Sequence, residues 1–339
     1  MASLWDDLES LVNSPSSFEA PSGGRGTIRP KAGFNGGDDA AALRKAIEGL
    51  GTDEATLVEI LTHRSSAQRQ LVCAAYKEAT GRTLVEDLKG DTSGDLKELL
   101  VALATPPAAF DCHQVMKAMK GVGTNDDVLI EIFSSRSNQQ IAALTDVYLQ
   151  ETQKKLTLDL KGEISGDFST ALLLLAEGKR EEITAVDTEK AKKDAKTLYD
   201  AGEKKWGTDE SKFIDVLCRR SVPQLRQTLL EYKNLSGKTL QQSIQGEMSG
   251  ELEELLVAIV KCVKNVPAYF AERLHESMKG GGTDESTLNR IMVSRSEIDL
   301  LDIRAEFKKL YKRSLLSAIK SDVSGLHGDC VASICGGDD

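Results

Sequence analysis

The sequence predicts an all-α fold in which four similar units of five helices each follow one another along the chain. Three observations lead to this prediction. A Gly-rich turn ending in threonine recurs four times, apolar residues after each turn recur at helical spacing, and almost no segment shows the alternation typical of a strand. Such a pattern favours helices that pack on helices around a shared core.

Each Gly-rich turn is matched by a carboxylate 39 residues after its threonine. A single copy would be read as an ordinary turn between helices, but four copies with one spacing predict that turn and acid share a site. The turns are Gly49-Leu50-Gly51-Thr52, Gly121-Val122-Gly123-Thr124, Lys205-Trp206-Gly207-Thr208 and Gly280-Gly281-Gly282-Thr283, and the acids are Asp91, Glu163, Glu247 and Asp322.

The threonine of each turn is a predicted helix N-cap, because acidic or polar residues follow it in the first helical turn. Apolar residues come five, eight and nine positions later, which places them on one face of a helix. They are Leu57, Ile60 and Leu61; Leu129, Ile132 and Phe133; Phe213, Val216 and Leu217; Leu288, Ile291 and Met292. In the first unit, further helices are predicted at about 39–48, 67–80, 82–89 and 93–104, with the acid in the loop between the fourth and fifth helices.

The turns and acids together offer only oxygen ligands. Glycine lets backbone carbonyls turn inward, and one Asp or Glu adds two carboxylate oxygens. Zinc is bound chiefly by Cys and His and Mg²⁺ requires a tight octahedron, whereas Ca²⁺ accepts about 6–8 oxygens in irregular geometry. Three carbonyls and one bidentate carboxylate leave about two positions for water or for a phosphate oxygen of another molecule. The sequence therefore predicts open Ca²⁺ sites.

The units resemble the annexin repeat, whose signature runs from K-G-x-G-T-D-E to R-S. The chain has Lys120-Gly121-Val122-Gly123-Thr124 followed by Arg136-Ser137, and the same offset gives Arg64-Ser65, Arg220-Ser221 and Arg295-Ser296. The resemblance implies four annexin-type repeats packed as one curved disc, with the calcium loops on the convex face. It divides the chain into a head and linker at 1–37, repeats at 38–106 and 107–178, a connector and third repeat at 179–266, and a fourth repeat at 267–339.

The resemblance also implies the ligands of each Ca²⁺ site, which are three backbone carbonyls and the matched acid. In the third repeat Lys205 replaces the first glycine of the turn and would bind through its backbone carbonyl. The implied ligands are Ile47, Gly49, Gly51 and Asp91; Met119, Gly121, Gly123 and Glu163; Gly202, Lys205, Gly207 and Glu247; Met278, Gly280, Gly282 and Asp322.

Several residues beside the turns are candidates for lipid contact. Trp206 occupies a loop tip next to an open site, which favours an indole at the lipid interface over a buried packing role. Lys120, Lys204 and Lys279 either touch head-group phosphates or are plain solvated lysines.

The arginines of the R-S motifs are predicted to be structural and to pair with acids or helix ends within their own units. Glu131 and Arg290 occupy the same position, seven residues after the threonine, in the second and fourth units. In annexins this position lies near a central polar axis. A buried packing salt bridge is the preferred interpretation, and ion conduction is the alternative.

Charge and composition restrict the partners. The net charge of −10 opposes binding to nucleic acid and to anionic lipid, so a membrane role requires bound cations to invert the local charge. The longest apolar stretches are far shorter than the ~20 residues that cross a bilayer. Because the N-terminus is acidic before any apolar run, a cytoplasmic location is expected. The six cysteines lack C-x-x-C pairs and are expected to be reduced, with a Cys218–Cys262 bond as the alternative.

The two ends of the chain depart from the repeat pattern. Leu4, Trp5, Leu8, Leu11 and Val12 predict a short amphipathic head helix, and 13–37, rich in Pro, Ser and Gly, predict a linker. Whether the head docks on a protein partner or on its own core stays open. In the fourth unit Gly328 predicts that the last helix starts late or frays, because glycine costs about 1 kcal/mol in a helix.

No catalytic motif stands out, so the sequence predicts a protein that is not an enzyme. We expect a calcium-dependent peripheral membrane protein that binds acidic phospholipid, organises or aggregates membranes and shields lipid from phospholipases. A calcium-dependent phosphoesterase and a scaffold acting through the head helix are the alternatives.

Overall fold

The structure, a computed structural model, describes residues 24–49, 51–203 and 207–338. These residues form 20 α-helices and contain no strand, which confirms the predicted all-α class. Across the described ranges, no helix combines the length and apolarity needed to span a bilayer.

The helices fall into four successive groups of five. The first group is α1 Gly36–Glu48, α2 Glu54–Thr62, α3 Ser66–Thr80, α4 Leu84–Asp91 and α5 Gly94–Ala104. The second is α6 Pro107–Ala118, α7 Asp126–Ser135, α8 Asn138–Thr152, α9 Leu156–Glu163 and α10 Gly166–Ala176. The third is α11 Thr188–Ala201, α12 Glu210–Arg219, α13 Val222–Ser236, α14 Leu240–Glu247 and α15 Gly250–Lys264. The fourth is α16 Val266–Ser277, α17 Glu285–Arg295, α18 Leu300–Tyr311, α19 Leu315–Asp322 and α20 Gly325–Cys335.

The groups combine into two compact units whose members are not all consecutive. The second and third groups form one unit, Asp111–Tyr269, which we call the middle-repeat unit. The first and fourth groups form the outer-repeat unit, from the described parts of Ala20–Phe110 and Phe270–Asp339. In the middle-repeat unit α15 packs on α7 and α10, and in the outer-repeat unit α17 and α20 pack on α5. The pairing of the first repeat with the last was not predicted from the sequence.

The predicted apolar stripe after each turn is buried. All twelve side chains at its three positions in the four repeats are at most 6% exposed. The helical period in the sequence therefore identified the core face of α2, α7, α12 and α17.

The predicted N-caps are wrong by one residue. In each repeat the N-cap is the residue after the threonine. Three of these side chains accept a helix amide: Asp53 from Thr56 N at 3.1 Å, Asn125 from Val128 N at 3.4 Å and Asp284 from Thr287 N at 3.0 Å. Since Asp and Asn are stronger caps than Thr, they take the amide and leave the threonine hydroxyl to bond elsewhere.

The prediction that the last helix starts late is also wrong. α20 begins at Gly325, directly after Ser324, as α5, α10 and α15 begin directly after their serines. A Cβ on Gly328 would lie 2.6 Å from the backbone oxygen of Val323. The glycine therefore permits a close approach of two backbone segments, and its cost in helix propensity is offset by that packing.

Part of the predicted linker is docked on the outer-repeat unit. The amides of Thr27 and Ile28 donate to the carbonyl of Ser296 at 2.8 and 3.1 Å. A Cβ on Gly26 would lie 2.6 Å from backbone atoms of Glu297, so only glycine fits at this contact. Residues 1–23, including the predicted head helix, lie outside the described residues.

All six cysteines are free thiols. Cys218 and Cys262 are buried in the middle-repeat unit and do not pair. Burial raises the pKa of the Cys218 thiol to about 12, so this group stays protonated and unreactive near neutral pH.

The arginines of the R-S motifs are structural, as predicted. In the first three repeats the guanidinium pairs with an aspartate on the first helix of the same repeat, through these contacts: Arg64 to Asp39 at 2.6 Å, Arg136 to Asp111 at 2.9 Å and Arg220 to Asp194 at 2.8 Å.

The fourth repeat replaces this pair with a different arrangement. Phe270 occupies the position of the aspartate on α16, and the Arg295 guanidinium lies 4.7 Å from the centre of its ring. Arg295 pairs instead with Asp299 at 2.7 Å, four residues later in the chain. A cation–π contact and a local ion pair therefore substitute for the helix-to-helix bridge.

We expect Asp111→Asn to lower the free energy of unfolding by about 3 kcal/mol or more, because it leaves a buried guanidinium without its counter-ion. Burial opposes the charge of Arg136, and Asp111 raises its pKa against that effect. The control is Asp215→Asn, whose partner Arg219 is 53% exposed, with an expected cost below about 1 kcal/mol. Urea denaturation measures both. Equal costs would contradict a role for burial.

We expect Gly328→Ala to lower the thermal midpoint, since the added methyl meets the Val323 carbonyl, at a cost of about 1–3 kcal/mol. The matched control is Gly90→Ala in α4, where a Cβ meets nothing within 4 Å and stability should rise by up to about 1 kcal/mol. Scanning calorimetry of both variants shows whether each change raises or lowers the thermal midpoint. A gain in stability for Gly328→Ala would show that the close approach is not limiting.

Candidate metal centres

Each of the four Gly-rich turns, called the G-x-G-T turns although the third reads K-W-G-T, is closed by one backbone hydrogen bond. The amide of the residue after the threonine donates to a carbonyl in the last turn of the preceding helix: Asp53 to Ala46 at 2.9 Å, Asn125 to Ala118 at 2.8 Å, Asp209 to Ala201 at 2.9 Å and Asp284 to Ser277 at 2.7 Å. The accepting residue directly precedes the first predicted carbonyl donor in all four repeats. The third loop is one residue longer, which agrees with Gly202 as the counterpart of Ile47.

The predicted donor carbonyls of the second and fourth turns lack partners among the described residues. In the second and fourth repeats, where every loop residue is described, they accept no hydrogen bond from any described residue; they belong to Met119, Gly121 and Gly123, and to Met278, Gly280 and Gly282. Gly121 and Gly280 adopt φ angles of 114° and 107°, which L side chains rarely tolerate. Because a backbone carbonyl requires a partner, these oxygens are left for water or for a cation.

The threonine hydroxyl joins the turn to the distant acid in three repeats. Thr52 Oγ1 donates to the backbone oxygen of Asp91 at 3.0 Å. Thr208 Oγ1 donates to a carboxylate oxygen of Glu247 at 3.3 Å, and the Thr283 hydroxyl donates to the carboxylate of Asp322. The 39-residue spacing therefore brings the turn and the acid together in these repeats.

The second repeat makes a different contact. Thr124 Oγ1 donates to Asp126 Oδ1 at 2.5 Å, and no described residue hydrogen-bonds the carboxylate of Glu163. The other repeats carry glutamate where Asp126 stands, and the shorter aspartate side chain captures the hydroxyl locally. The Glu163 carboxylate is exposed and keeps both oxygens available.

The acids lie at helix ends rather than in the loops where the sequence placed them. Asp91, Glu163, Glu247 and Asp322 are the last residues of α4, α9, α14 and α19. A helix C-terminus carries partial negative charge, which adds to the carboxylate charge and favours a cation at this point.

An acidic patch lies beside the second turn. Asp126 and Asp127 on α7 and Glu251 and Glu254 on α15 line an open depression of about 430 Å³ that also includes Thr124. Burial raises the pKa of Glu254, and the nearby Asp127 and Glu251 raise it further. Without bound cations, this surface repels anionic molecules.

Glu203 is a loop residue that the sequence analysis missed. Tyr76 and Tyr148 donate to aspartates eleven residues later, but in the third repeat Tyr232 meets Ser243 at that spacing. Ser243 in turn donates to Glu203 at 2.9 Å, and hydrogen bonding from Lys238 lowers the pKa of Glu203. The sequence signal was Ser243, which stands eleven residues after the tyrosine where the first two repeats have an aspartate. The carboxylate that is missing at this position has to come from another part of the chain.

Val122 was also missed. Its side chain is fully exposed at the tip of the second turn, with a relative accessibility of 110%. It occupies the position that Trp206 holds in the third turn. An apolar side chain at the same place in both turns was the available signal, and its exposure places it in contact with whatever approaches the loop.

The remaining candidates divide by location. Lys120 and Lys279 are exposed beside their turns, whereas Lys204, Lys205 and Trp206 lie outside the described residues. Glu131 and Arg290 are buried, at 0% and 1% exposure, in different units. Their shared central axis stays a prediction.

Side-chain clusters do not offer a competing metal site. Within the described ranges, no group of three or more His, Cys, Asp or Glu side chains is placed to hold a metal ion. The predicted donor set, carbonyl oxygens with one carboxylate at each turn, stays a prediction, and its chemistry fits a hard, oxygen-preferring cation such as Ca²⁺.

Comparison with known proteins assigns the repeats. The Annexin family model matches residues 38–103, 110–175, 193–259 and 269–334. Annexin A3 of Bos taurus is 57% identical over 317 residues, which cover 94% of this chain and 98% of that protein. Among solved structures, annexin III superposes with a TM-score of 0.92 at 56% identity, covering 94% of this chain and 98% of that one. Calcium-bound annexin (Sm)1 superposes with a TM-score of 0.84 at 34% identity, covering 96% and 98%.

Proposed function

The chain belongs to the annexin family, which is known for calcium-dependent phospholipid binding, and we propose that it binds acidic phospholipid membranes through shared Ca²⁺ ions. Each ion would be held between a G-x-G-T turn and a lipid phosphate. The observation that carries this proposal is the set of turn carbonyls without protein partners next to a helix-terminal carboxylate.

The residues of the second and fourth turns would hold the ion most completely. Three carbonyls from each turn, together with Glu163 or Asp322, supply oxygen ligands of the kind that Ca²⁺ prefers. When bound, the ion supplies positive charge and coordination positions for phosphate oxygens. Lys120 and Lys279 are exposed beside these turns and would add charge-assisted contacts to the same head groups.

Weak individual sites suit this function. One carboxylate per site favours affinities of about 10⁻⁴–10⁻³ M, because EF-hand loops bind tighter with several carboxylates. A lipid phosphate that completes the coordination tightens calcium binding, and calcium tightens lipid binding by the same factor. Several sites engaging one membrane then act together through effective concentration.

Charge reversal makes the attachment switchable. The chain carries a net charge of −10, and the acidic patch beside the second turn repels anionic lipid. Bound calcium would reverse this local charge. Removal of the ion would then release the protein, so we propose that it is a reversible peripheral protein on the cytoplasmic side of membranes.

Lipid coverage would have further consequences. A protein layer held on head groups would shield lipid from phospholipases without contacting the enzyme, and would organise or join bilayers. The N-terminal head within residues 1–37 is where a protein partner would bind.

We expect Glu163→Gln to raise the calcium concentration for half-maximal binding to phosphatidylserine vesicles about tenfold, because the second site loses its only carboxylate. Asp146→Asn, an exposed position on α8, is the control that removes the same charge. Vesicle sedimentation across a calcium series measures both.

The calcium bridge and general electrostatics predict opposite changes in vesicle binding for Glu163→Gln. If general electrostatics governed binding, both variants would bind anionic vesicles better, since both become less negative. Weaker binding of Glu163→Gln alone supports the calcium bridge, and equal pelleting of wild type in calcium and in chelator would refute it.

We expect Val122→Asn to weaken vesicle binding about three- to tenfold at saturating calcium, because an apolar side chain no longer enters the lipid interface. Leu71→Asn is the control, since Leu71 is 59% exposed on α3, away from the turns. Vesicle titration by light scattering compares them. An unchanged affinity for Val122→Asn would remove the loop tip from the contact surface.

A further inference from the structure

A cavity of about 290 Å³ lies inside the middle-repeat unit, beside the connector between α10 and α11. Apolar side chains from four helices line it: Phe133, Ile141, Leu175 and Cys218. The volume is about twice that of the ~150 Å³ engineered cavity that binds benzene. An apolar molecule of moderate size therefore fits.

Two arginines, Arg136 and Arg180, line this apolar space. Arg180 lines the cavity, and its Nη1 donates to the carbonyls of Leu217 and Arg220 at 2.7 and 2.9 Å, at the C-terminal end of α12. These bonds engage only Nη1 of the three guanidinium nitrogens. No described residue places a carboxylate within ion-pair distance of Arg180. Burial lowers its pKa, since the charge is taken out of water without a counter-ion.

The other charged groups of the cavity are engaged elsewhere. Arg136 is paired with Asp111. Glu181 lies 3.6 Å from Lys190, and Glu182 accepts a hydrogen bond from Asn138 at 2.9 Å. Among the described ionisable groups that line the cavity, the part-buried cation of Arg180 therefore lacks an acidic partner.

The connector forms the solvent-exposed side of the cavity. Ile183 lines the cavity and is 61% exposed, and the residues around it in 182–187 are exposed as well. Small-molecule sites are concave and mostly apolar, so we expect a ligand to enter this cavity from the side where Ile183 is exposed.

We propose that this cavity binds a small amphipathic carboxylate of the fatty-acid class. The carboxylate pairs with the free guanidinium nitrogens of Arg180, and the apolar body lies against Phe133 and Ile141. A neutral apolar molecule would leave the charge of Arg180 without an acidic partner, whereas a peptide or a folded protein exceeds the volume. This site involves neither the G-x-G-T turns nor calcium, so it is independent of the membrane function.

The test is isothermal titration calorimetry of the full chain in chelator, with decanoate as ligand and decanol as the uncharged comparator. We expect saturable binding of one decanoate per chain.

Arg180→Gln should weaken decanoate binding about tenfold or more and leave decanol binding unchanged, because a charge-assisted contact is lost. Arg219→Gln, which changes an exposed arginine at the end of α12, is the control and should change neither. Leu174→Trp, which fills the cavity, should abolish both.

Several outcomes would overturn the proposal. These are absence of saturable decanoate binding, equal weakening of decanoate and decanol by Arg180→Gln, and binding only after deletion of 1–23, which would make the head the occupant. Arg180→Lys keeps the charge and guards against a folding defect, since it should retain more decanoate affinity than Arg180→Gln. Because calcium is chelated throughout, the result is read separately from vesicle binding.

Discussion

The hydrogen bond that closes each G-x-G-T turn is the constraint on which the proposed sites depend. By returning the amide after the threonine to the end of the preceding helix, it holds the intervening segment in a short loop. In the second and fourth repeats, the predicted donor carbonyls of this loop find no partner among the described residues. Glycines at positive φ make this loop sterically accessible. The same closure fixes where the next helix begins, and hence where its apolar face meets the core.

The threonine hydroxyl extends this constraint to the distant acid. In the first, third and fourth repeats it reaches the acidic residue that ends the fourth helix, through the backbone oxygen of Asp91 and the carboxylates of Glu247 and Asp322. In the second repeat Asp126 takes the hydroxyl and leaves Glu163 unengaged. The four repeats therefore differ in how directly the threonine hydroxyl joins the turn to the acid.

The sequence predicted the class, the core stripe and the turn–acid pairing because each repeats with a fixed period. It failed where one residue competes with its neighbour, since Asp53 caps α2 instead of Thr52. It did predict that Arg295 pairs with an acid of its own unit, but not that Phe270 stands where the other repeats have an aspartate. Contacts between segments distant in sequence, such as Gly26 on Glu297 or Gly328 on Val323, leave no periodic signal, so the glycines were read as flexible or unfavourable. Partner-free carbonyls are likewise visible only in three dimensions.

The most direct test of the central claim is a crystal structure with calcium and glycerophosphoserine, a soluble analogue of the lipid head group. The account predicts an ion at the second and fourth turns, bound by the carbonyls of Gly121, Gly123, Gly280 and Gly282 and by Glu163 or Asp322, with a phosphate oxygen completing the coordination. Ions bound elsewhere, or turns whose ions are enclosed by protein side chains and exclude the phosphate, would contradict it.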